Sequence, residues 1–151
     1  SFSQEKQFAG TWVLKDYKSV TGFMYENIAP KKILVSSYKD RFEVIRVTPG
    51  VNNMDVESYE ILYFNGKPFQ TITPSKRKKS TSMKYSTGHL SFAVVALLKN
   101  AIDSKVLDIK ITEGWQLSEG NMLRLTRKSE DYLTGEIWEV EAFYEHSSNA
   151  H

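Results

Sequence analysis

The sequence predicts an all-β protein, a single antiparallel up-and-down β-barrel of about eight to ten strands. Turn-forming residues recur about every ten residues, as is typical of all-β folds. Between the turns, apolar and polar residues alternate, and no segment has a convincing long helical period. Because an open antiparallel sheet exposes its edges, closing the sheet on itself is the simplest arrangement of so many sequential strands.

The 151 residues are expected to form one domain, 1–151, with terminal tails at 1–8 and 146–151. The chain has no cysteine, which excludes disulfides and thiolate metal sites, and its net charge of +2 argues against a dedicated nucleic-acid surface. The longest apolar run, "FAVVALL", is far shorter than the roughly 18 residues of a transmembrane helix, so no membrane span is expected. The basic run "KRKK", 76–79, is interpreted as a solvated loop tip.

The first half of the chain divides into strands at clear turn signals. The first strand is "GTWVLK", 10–15, and residues 16–30 are predicted to form a loop or short helix that could act as a lid. "KILVSSY" and "RFEVIRVT" then flank Lys39-Asp40, a plausible two-residue hairpin. "VESYEILYF" and "KPFQTIT" flank Asn65-Gly66, the preferred dipeptide of a type I′ turn, in which both residues need positive φ.

The second half continues the pattern. "STSMKYST" and "HLSFAVVALLK" meet near Gly88, and β-branched Val94 and Val95 favour a strand over a helix in the second segment. "VLDIKITEGWQL", 106–117, is a strand of near 40 Å at ~3.3 Å per residue, long enough to curve around a barrel. "MLRLTRK" and "GEIWEVEAFYE" complete about ten strands.

Two charged residues share the face that should be buried in the long strand and its partner. Glu113 is in phase with Trp115, and Arg127 is in phase with Leu125. A two-residue loop would set Trp115 against Arg124, whereas a three-residue loop, either 118–120 or 119–121, keeps the apolar residues together. Glu113 then faces Arg127 directly or diagonally.

An unpaired interior carboxylate would cost several kcal/mol, so we expect Glu113 to pair with Arg127. The pair lies either at the barrel mouth, where it contributes about 0 to 1 kcal/mol, or on the wall of a ligand cavity as a polar anchor. Aromatic residues on the inner face are further candidates for the wall, with simple packing as the alternative. The candidate ligand-binding residues are Glu113, Trp115, Arg127, Trp138 and Tyr144.

With "GTW" opening the first strand, Asn65-Gly66-Lys67 in mid-chain, "WQLS" late and "AFYE" closing the last strand, the sequence resembles the bacterial lipocalin-like, or calycin-type, barrels. In that family Gly10 and Trp12 are implied to be structural, with the tryptophan plugging the closed end and an arginine, such as Arg124 or Arg127, stacked on its ring. Fatty-acid-binding proteins also open with "GTW", but Ala142-Phe143-Tyr144 replaces their Arg-x-Tyr carboxylate clamp.

The barrel and its inward charges predict non-enzymatic binding of a small hydrophobic or amphiphilic molecule in the barrel interior. The deciding observation is whether that interior holds a cavity larger than about 300 Å³ with Glu113 and Arg127 on its wall. The alternative is a structural or protein-interaction module whose barrel is filled by side chains. No catalytic residue, cofactor or metal is expected, because His89, His146 and His151 form no metal-binding pattern and no Ser/His/Asp order is evident.

The expected location of the protein follows from the first residues of the chain and from the residue types and motifs that the chain lacks. The chain opens with "SFSQEK" and lacks an initiator methionine, which fits a periplasmic or secreted protein whose signal peptide is removed. A cytoplasmic location is the alternative. The lack of cysteine and of Asn-x-Ser/Thr sequons makes an animal extracellular origin less expected than a bacterial one.

Overall fold

The computed structural model describes residues 5–21, 29–86, 90–119 and 121–147. They form one antiparallel sheet of ten strands, with short 3₁₀ segments at Lys6–Phe8 and Val51–Asn53. The strands are β1 (Gly10–Thr21), β2 (Lys32–Ser37), β3 (Arg41–Pro49), β4 (Asp55–Tyr63), β5 (Phe69–Ile72), β6 (Lys78–Tyr85), β7 (Ser91–Lys99), β8 (Leu107–Ser118), β9 (Met122–Asp131) and β10 (Ile137–His146). No helical segment among the described residues is both long and apolar enough to cross a membrane.

The sheet curls until its two edges meet, which makes it a nearly closed up-and-down barrel. Its order is β4-β3-β2-β1-β10-β9-β8-β7-β6-β5, so the first and last strands are hydrogen-bonded neighbours. The edge strands β4 and β5 contact each other, and the rings of Tyr59 and Phe69 meet edge to face across this seam, 6.0 Å apart. The predicted fold class, an all-β antiparallel barrel, is therefore confirmed.

The hairpin geometry confirms several details that the alternating pattern predicts. Lys39-Asp40 is the two-residue turn between β2 and β3, and the segment containing Val94 and Val95 is strand β7. In the β8–β9 ladder Trp115 pairs with Leu125, which is the register of the 119–121 loop. Asn121 has the positive φ, 58°, that such a loop needs, while Gly120 lies outside the described residues.

The Asn65-Gly66 prediction is only half right. A turn forms there, but only Gly66 has positive φ (86°), so it is not type I′, and β4 and β5 lie at opposite edges of the sheet instead of pairing as a hairpin. Two local features distinguish this turn from a hairpin turn. The Asn65 side chain accepts a hydrogen bond from the amide of Lys67 at 2.9 Å, and Pro68 has no amide to donate to a ladder.

Each predicted tail contains a residue that belongs to the barrel. Phe8 is fully buried among the core aromatic residues, so the segment 1–8 is not entirely a tail, and His146 is the last residue of β10. Strand β1 extends through Thr21, which converts the first part of the predicted 16–30 loop into strand. The remainder of the lid prediction, and the junction near Gly88, fall on residues 22–28 and 87–89, outside the described residues.

Aromatic rings fill one half of the barrel interior. Phe8 packs against Phe92 at 4.8 Å and Phe42 at 5.9 Å between ring centroids, and Phe92 stacks on Trp115 at 5.0 Å. Trp12 belongs to the same core cluster and is 1% exposed. Close packing of these rings excludes a ligand from this half, and the polar residues of the interior lie in the other half.

Candidate functional site

A buried carboxylate organises the polar half of the interior. Glu113, on β8, is 2% exposed and accepts hydrogen bonds at both of its oxygens. Two nitrogens of Arg46 each donate to a different oxygen at 2.6 Å, Arg127 donates from Nη1 to Oε2 at 2.8 Å, and Trp115 donates from Nε1 to Oε1 at 3.1 Å. The predicted pairing of Glu113 with Arg127 is present, within a larger network.

Arg46 connects this carboxylate to a second one. Its Nε donates to Oε1 of Glu60 at 2.5 Å, and its guanidinium carbon lies 5.6 Å from the ring centre of Trp115. Both charged residues are buried, Arg46 at 8% and Glu60 at 7% exposure. The planar guanidinium suits this position because it can donate to two carboxylates while lying over an aromatic face.

Strand alternation places Arg46 and Glu60 inside the barrel. Arg46 is in phase with buried Val44 on β3, and Glu60 is in phase with buried Leu62 on β4. The two residues are missing from the sequence-based candidates. The signal that singled out Glu113, a charge in phase with apolar neighbours, was present in both strands.

The network fixes the protonation of its members. Burial alone would raise the pKa of Glu113, but Arg46 and Arg127 outweigh it and lower that pKa to about 2. Burial would likewise lower the pKa of Arg46, and Glu113 and Glu60 raise it well above its usual range. Glu113 is therefore ionised at neutral pH, and both of its carboxylate oxygens already accept hydrogen bonds from neighbouring side chains.

Lys79 brings a third cation to the same interior face. It lies on β6, in phase with buried Thr81 and Met83, and is half-buried. Its ammonium makes no hydrogen bond or ion pair with the residues that the structure describes. Burial lowers its pKa, with the attraction of Glu60 opposing this and the repulsion of Arg46 adding to it. The residue belongs to the basic run that the sequence analysis interpreted as a solvated tip, but its side chain faces inward.

These charged residues enclose a cavity of about 160 Å³. Its wall carries three cations, two carboxylates and two hydroxyl-bearing side chains, and apolar side chains form the remainder. The lining residues are Pro30, Arg46, Thr48, Ser58, Glu60, Lys79, Val94, Ala96, Ile111, Glu113 and Arg127. The three cations and two carboxylates give the wall one net positive charge. Apolar side chains line the cavity beside them.

The larger concavities elsewhere among the described residues include two of about 470 and 550 Å³. Both include Ala93 and Lys84, on the outward side of the β6–β7 ladder, and both are open to solvent. No charged side chain that lines them is buried. The interior cavity is smaller, but it alone among these three combines enclosure, convergent buried charges and an apolar wall, the features of a small-molecule site.

The structure brings only some of the predicted binding residues to this cavity. Glu113 and Arg127 line it. Trp115 stands behind Glu113 as a hydrogen-bond donor, and Tyr144 is buried with its hydroxyl donating to the carbonyl of Pro30 at 2.7 Å. Trp138 lies near the end of β10 and is not among the lining residues; its Nε1 donates to Glu136 at 3.3 Å.

The expected structural pair, Gly10 and Trp12, has an unexpected partner. Trp12 donates from Nε1 to the carbonyl of Phe8 at 2.8 Å, and the ring of His146 meets it edge to face at 4.9 Å. Neither arginine suggested for this role stacks there: Arg124 pairs with Glu141 and Arg127 with Glu113. Gly10 has a φ of 126° and lies against His146, which leaves no room for a side chain.

Across the described part of the chain, no group of three or more histidine, aspartate or glutamate residues is arranged to hold a metal ion. Comparison with models of protein families, with curated protein sequences and with solved structures gives no match. The fold is thus established at the level of a nearly closed ten-stranded antiparallel barrel, compatible with a calycin-like architecture.

Proposed function

We propose that this protein binds one small, partly apolar molecule bearing an anionic group, and that it does so in the interior cavity without transforming the ligand. The observation that carries the proposal is Lys79. It is the cation on the cavity wall that no carboxylate of the described residues pairs with, and the apolar side chains of Val94 and Ala96, on the neighbouring strand β7, line the same cavity. An anionic group with a short apolar portion is complementary to this combination.

Electrostatics support an anion over a neutral or cationic ligand. Arg46 and Arg127 are neutralised largely by Glu113 and Glu60, whose carboxylates they bind directly. A carboxylate beside Lys79 would restore the solvation that the ammonium loses on burial, in a surrounding where a charged hydrogen bond contributes about 1.5 to 3 kcal/mol. A cation in the same place would meet three positive groups.

The size of the cavity limits the ligand. A volume of about 160 Å³ is below the roughly 300 Å³ at which drug-sized pockets begin, and corresponds to about five waters at ~30 Å³ each. The ligand class that fits is a short-chain carboxylate, or a larger amphiphile of which only the acidic end enters.

The geometry gives Glu113 little capacity for catalysis. Its pKa of about 2 makes it a weak base, and Arg46, Arg127 and Trp115 already occupy both of its oxygens. A general acid or base needs a free position near the reacting proton. Binding without turnover is therefore the function that we propose.

A thermal-shift and calorimetry series tests the proposal. The probes are linear carboxylates from acetate to hexanoate, with the corresponding amides as uncharged analogues. We expect carboxylates to raise Tm and to bind, amides to bind far more weakly, and affinity to stop rising once the chain outgrows the cavity. Lys79→Gln should weaken carboxylate binding by about ten- to a hundredfold, which is the loss of one charged hydrogen bond.

The matched control is Lys78→Gln, which removes the adjacent exposed lysine of the same strand and should leave carboxylate affinity unchanged. Equal losses for both variants would show only a general charge effect and contradict the site. The proposal also fails if no carboxylate stabilises the protein and native mass spectrometry of protein from its own host finds no bound anion.

A structural or interaction module is the second candidate, because the aromatic half of the barrel is already filled by side chains such as Phe42 and Phe92. We also propose membership of the bacterial lipocalin-like barrels, on the support of Gly10, Trp12 and the β1–β10 pairing that joins the first and last strands. A periplasmic or secreted location stays a prediction, which cell fractionation of the source organism would test.

A further inference from the structure

Exposed apolar side chains collect at one end of the barrel. Because the strands are antiparallel and consecutive, the β3–β4, β5–β6, β7–β8 and β9–β10 connections share that end. Of the twelve large hydrophobic residues that the structure describes as exposed, eight lie there: Met54, Val56, Ile72, Ile102, Val106, Tyr132, Leu133 and Ile137. The connections at the opposite end contribute Tyr38 and Leu90.

Three of these side chains project from three consecutive connections around the barrel. Met54 is 70% exposed after the β3–β4 turn, Ile72 is 65% exposed before the β5–β6 turn, and Ile102 is 98% exposed in the β7–β8 turn. Side chains so exposed contribute little to the barrel's own core. Clusters of exposed apolar residues rimmed by polar ones are characteristic of surfaces that meet another apolar phase.

Two of these three connections, β5–β6 and β7–β8, are basic, whereas the β3–β4 connection carries Asp55, which pairs with Lys31 at 2.7 Å. Residues 72–79 and 99–108 contain six lysines or arginines and two aspartates. Both aspartates are engaged: buried Asp108 pairs with Arg77 at 3.1 Å, and Asp103 accepts from the amide of Lys105 at 3.0 Å. Lys76, Lys78 and Lys105 are exposed. We name residues 52–56, 72–78 and 99–106 the basic apolar rim.

We propose that the basic apolar rim docks this end of the barrel on an anionic lipid bilayer. Met54, Ile72 and Ile102 enter the interfacial region, and the exposed lysines face the lipid phosphates. Apolar insertion and basic charge together give the two contributions that reversible membrane binding requires. The surface is positioned to dock on the bilayer and not to span it.

A second copy of the chain is a poorer occupant of this surface. Closed dimers pair identical patches across a two-fold axis, so the lysines of one rim would meet those of the other. An anionic bilayer is complementary both to the exposed apolar side chains of the rim and to its positive charge. The neighbouring β9–β10 connection carries Asp131 and Glu136, which should keep that side of the barrel away from the lipid.

Vesicle flotation tests the docking. One vesicle population is phosphatidylcholine alone and the other is phosphatidylcholine mixed with phosphatidylglycerol. We expect the protein to float with the mixed vesicles, to stay unbound with phosphatidylcholine, and to be released by high salt. Ile102→Asp should lower the partition coefficient on the order of tenfold. Lys76→Glu should lower it roughly fivefold or more, since each basic residue near an anionic surface contributes about that factor.

The matched controls lie at the opposite end of the barrel. Leu90→Asp and Lys39→Glu make the same changes of charge and polarity away from the rim and should leave flotation unchanged. Equal effects of rim and control variants would overturn the proposal, as would equal binding to both vesicle types. A dimer in sedimentation velocity that Ile102→Asp abolishes, with no vesicle binding, would assign the surface to a second copy instead.

Discussion

The guanidinium of Arg46 and the carboxylate of Glu113 form a bidentate pair inside the barrel, although 67 residues separate them in the chain. Each pairs further, Arg46 with Glu60 and Glu113 with Arg127, so four charged side chains from β3, β4, β8 and β9 form one chain of contacts. The contacts span the barrel from one wall to the other. This network both fixes the spacing of the strands and defines one side of the cavity.

Removing the central carboxylate should destabilise the fold strongly. In Glu113→Gln the side chain keeps its shape, but half-buried Arg127 loses its carboxylate and buried Arg46 is left with Glu60 alone; breaking a buried ion pair typically costs about 3 to 5 kcal/mol of unfolding free energy. Urea unfolding followed by circular dichroism measures it. Glu145→Gln, an exposed glutamate paired with Lys15 at 3.5 Å, is the control and should change stability by about 0.5 kcal/mol or less. Similar losses in both variants would contradict a structural role for the network.

The lowered pKa of the same carboxylate leads us to expect that acid reduces the stability of the fold in a specific pH range. The pKa of Glu113 falls from an ordinary 4.5 to about 2 on folding, so the unfolded chain takes up the proton first as pH decreases. Its stabilisation, about 3 kcal/mol, is complete above pH 4.5 and disappears as pH falls to about 2. The free energy of unfolding measured against pH should therefore decline in this window. The decline should be smaller in Glu113→Gln, and an identical slope in both proteins would be the contrary result.

Gly10 should tolerate no side chain. A Cβ there would lie 2.2 Å from Nε2 of His146, and the φ of 126° is strained for any other residue. Gly10→Ala should lower stability by more than about 1 kcal/mol. Gly135→Ala is a matched control, because Gly135 also has positive φ (78°) but no atom within 4 Å of the new Cβ, so it reports the backbone strain alone.

A double-mutant cycle separates the two causes at Gly10. Removing the ring in His146→Ala relieves the clash, so Gly10→Ala should cost less in that background than in the wild-type protein. Thermal unfolding of the four proteins gives the coupling energy. Strict additivity would mean that the close approach of His146 contributes nothing to the preference for glycine.

The barrel can be predicted from the sequence because the alternation of apolar and polar residues and the turn-forming residues determine strands and turns locally. The register of β8 against β9 follows from placing Trp115 opposite Leu125 on the inner face. That register alone places Glu113 opposite Arg127. The seam between β4 and β5 could not be foreseen in the same way. Asn65-Gly66 is a strong local turn signal, but whether the flanking strands then pair depends on the curvature of the whole sheet.

The cavity is harder to predict because its walls come from strands distant in sequence. Arg46 and Glu60 carry the same in-phase charge signal as Glu113, yet nothing local indicates that all three converge. The inward position of the Lys79 side chain could not be predicted, because a run of four basic residues such as "KRKK" is usually a solvated loop. Only the β6–β7 ladder, which pairs Lys79 with Leu98, shows that its side chain faces inward.

The pKa of Lys79 tests the central claim, that this residue, which pairs with no carboxylate of the described part of the chain, meets the anionic group of the ligand. Reductive ¹³C-methylation of the lysines and NMR titration measure it, with Lys79→Gln assigning the resonance. The account predicts a pKa below the ordinary 10.5 in the free protein, and a rise when a saturating short-chain carboxylate is added. An ordinary pKa in the free protein that does not move with carboxylate would contradict the account.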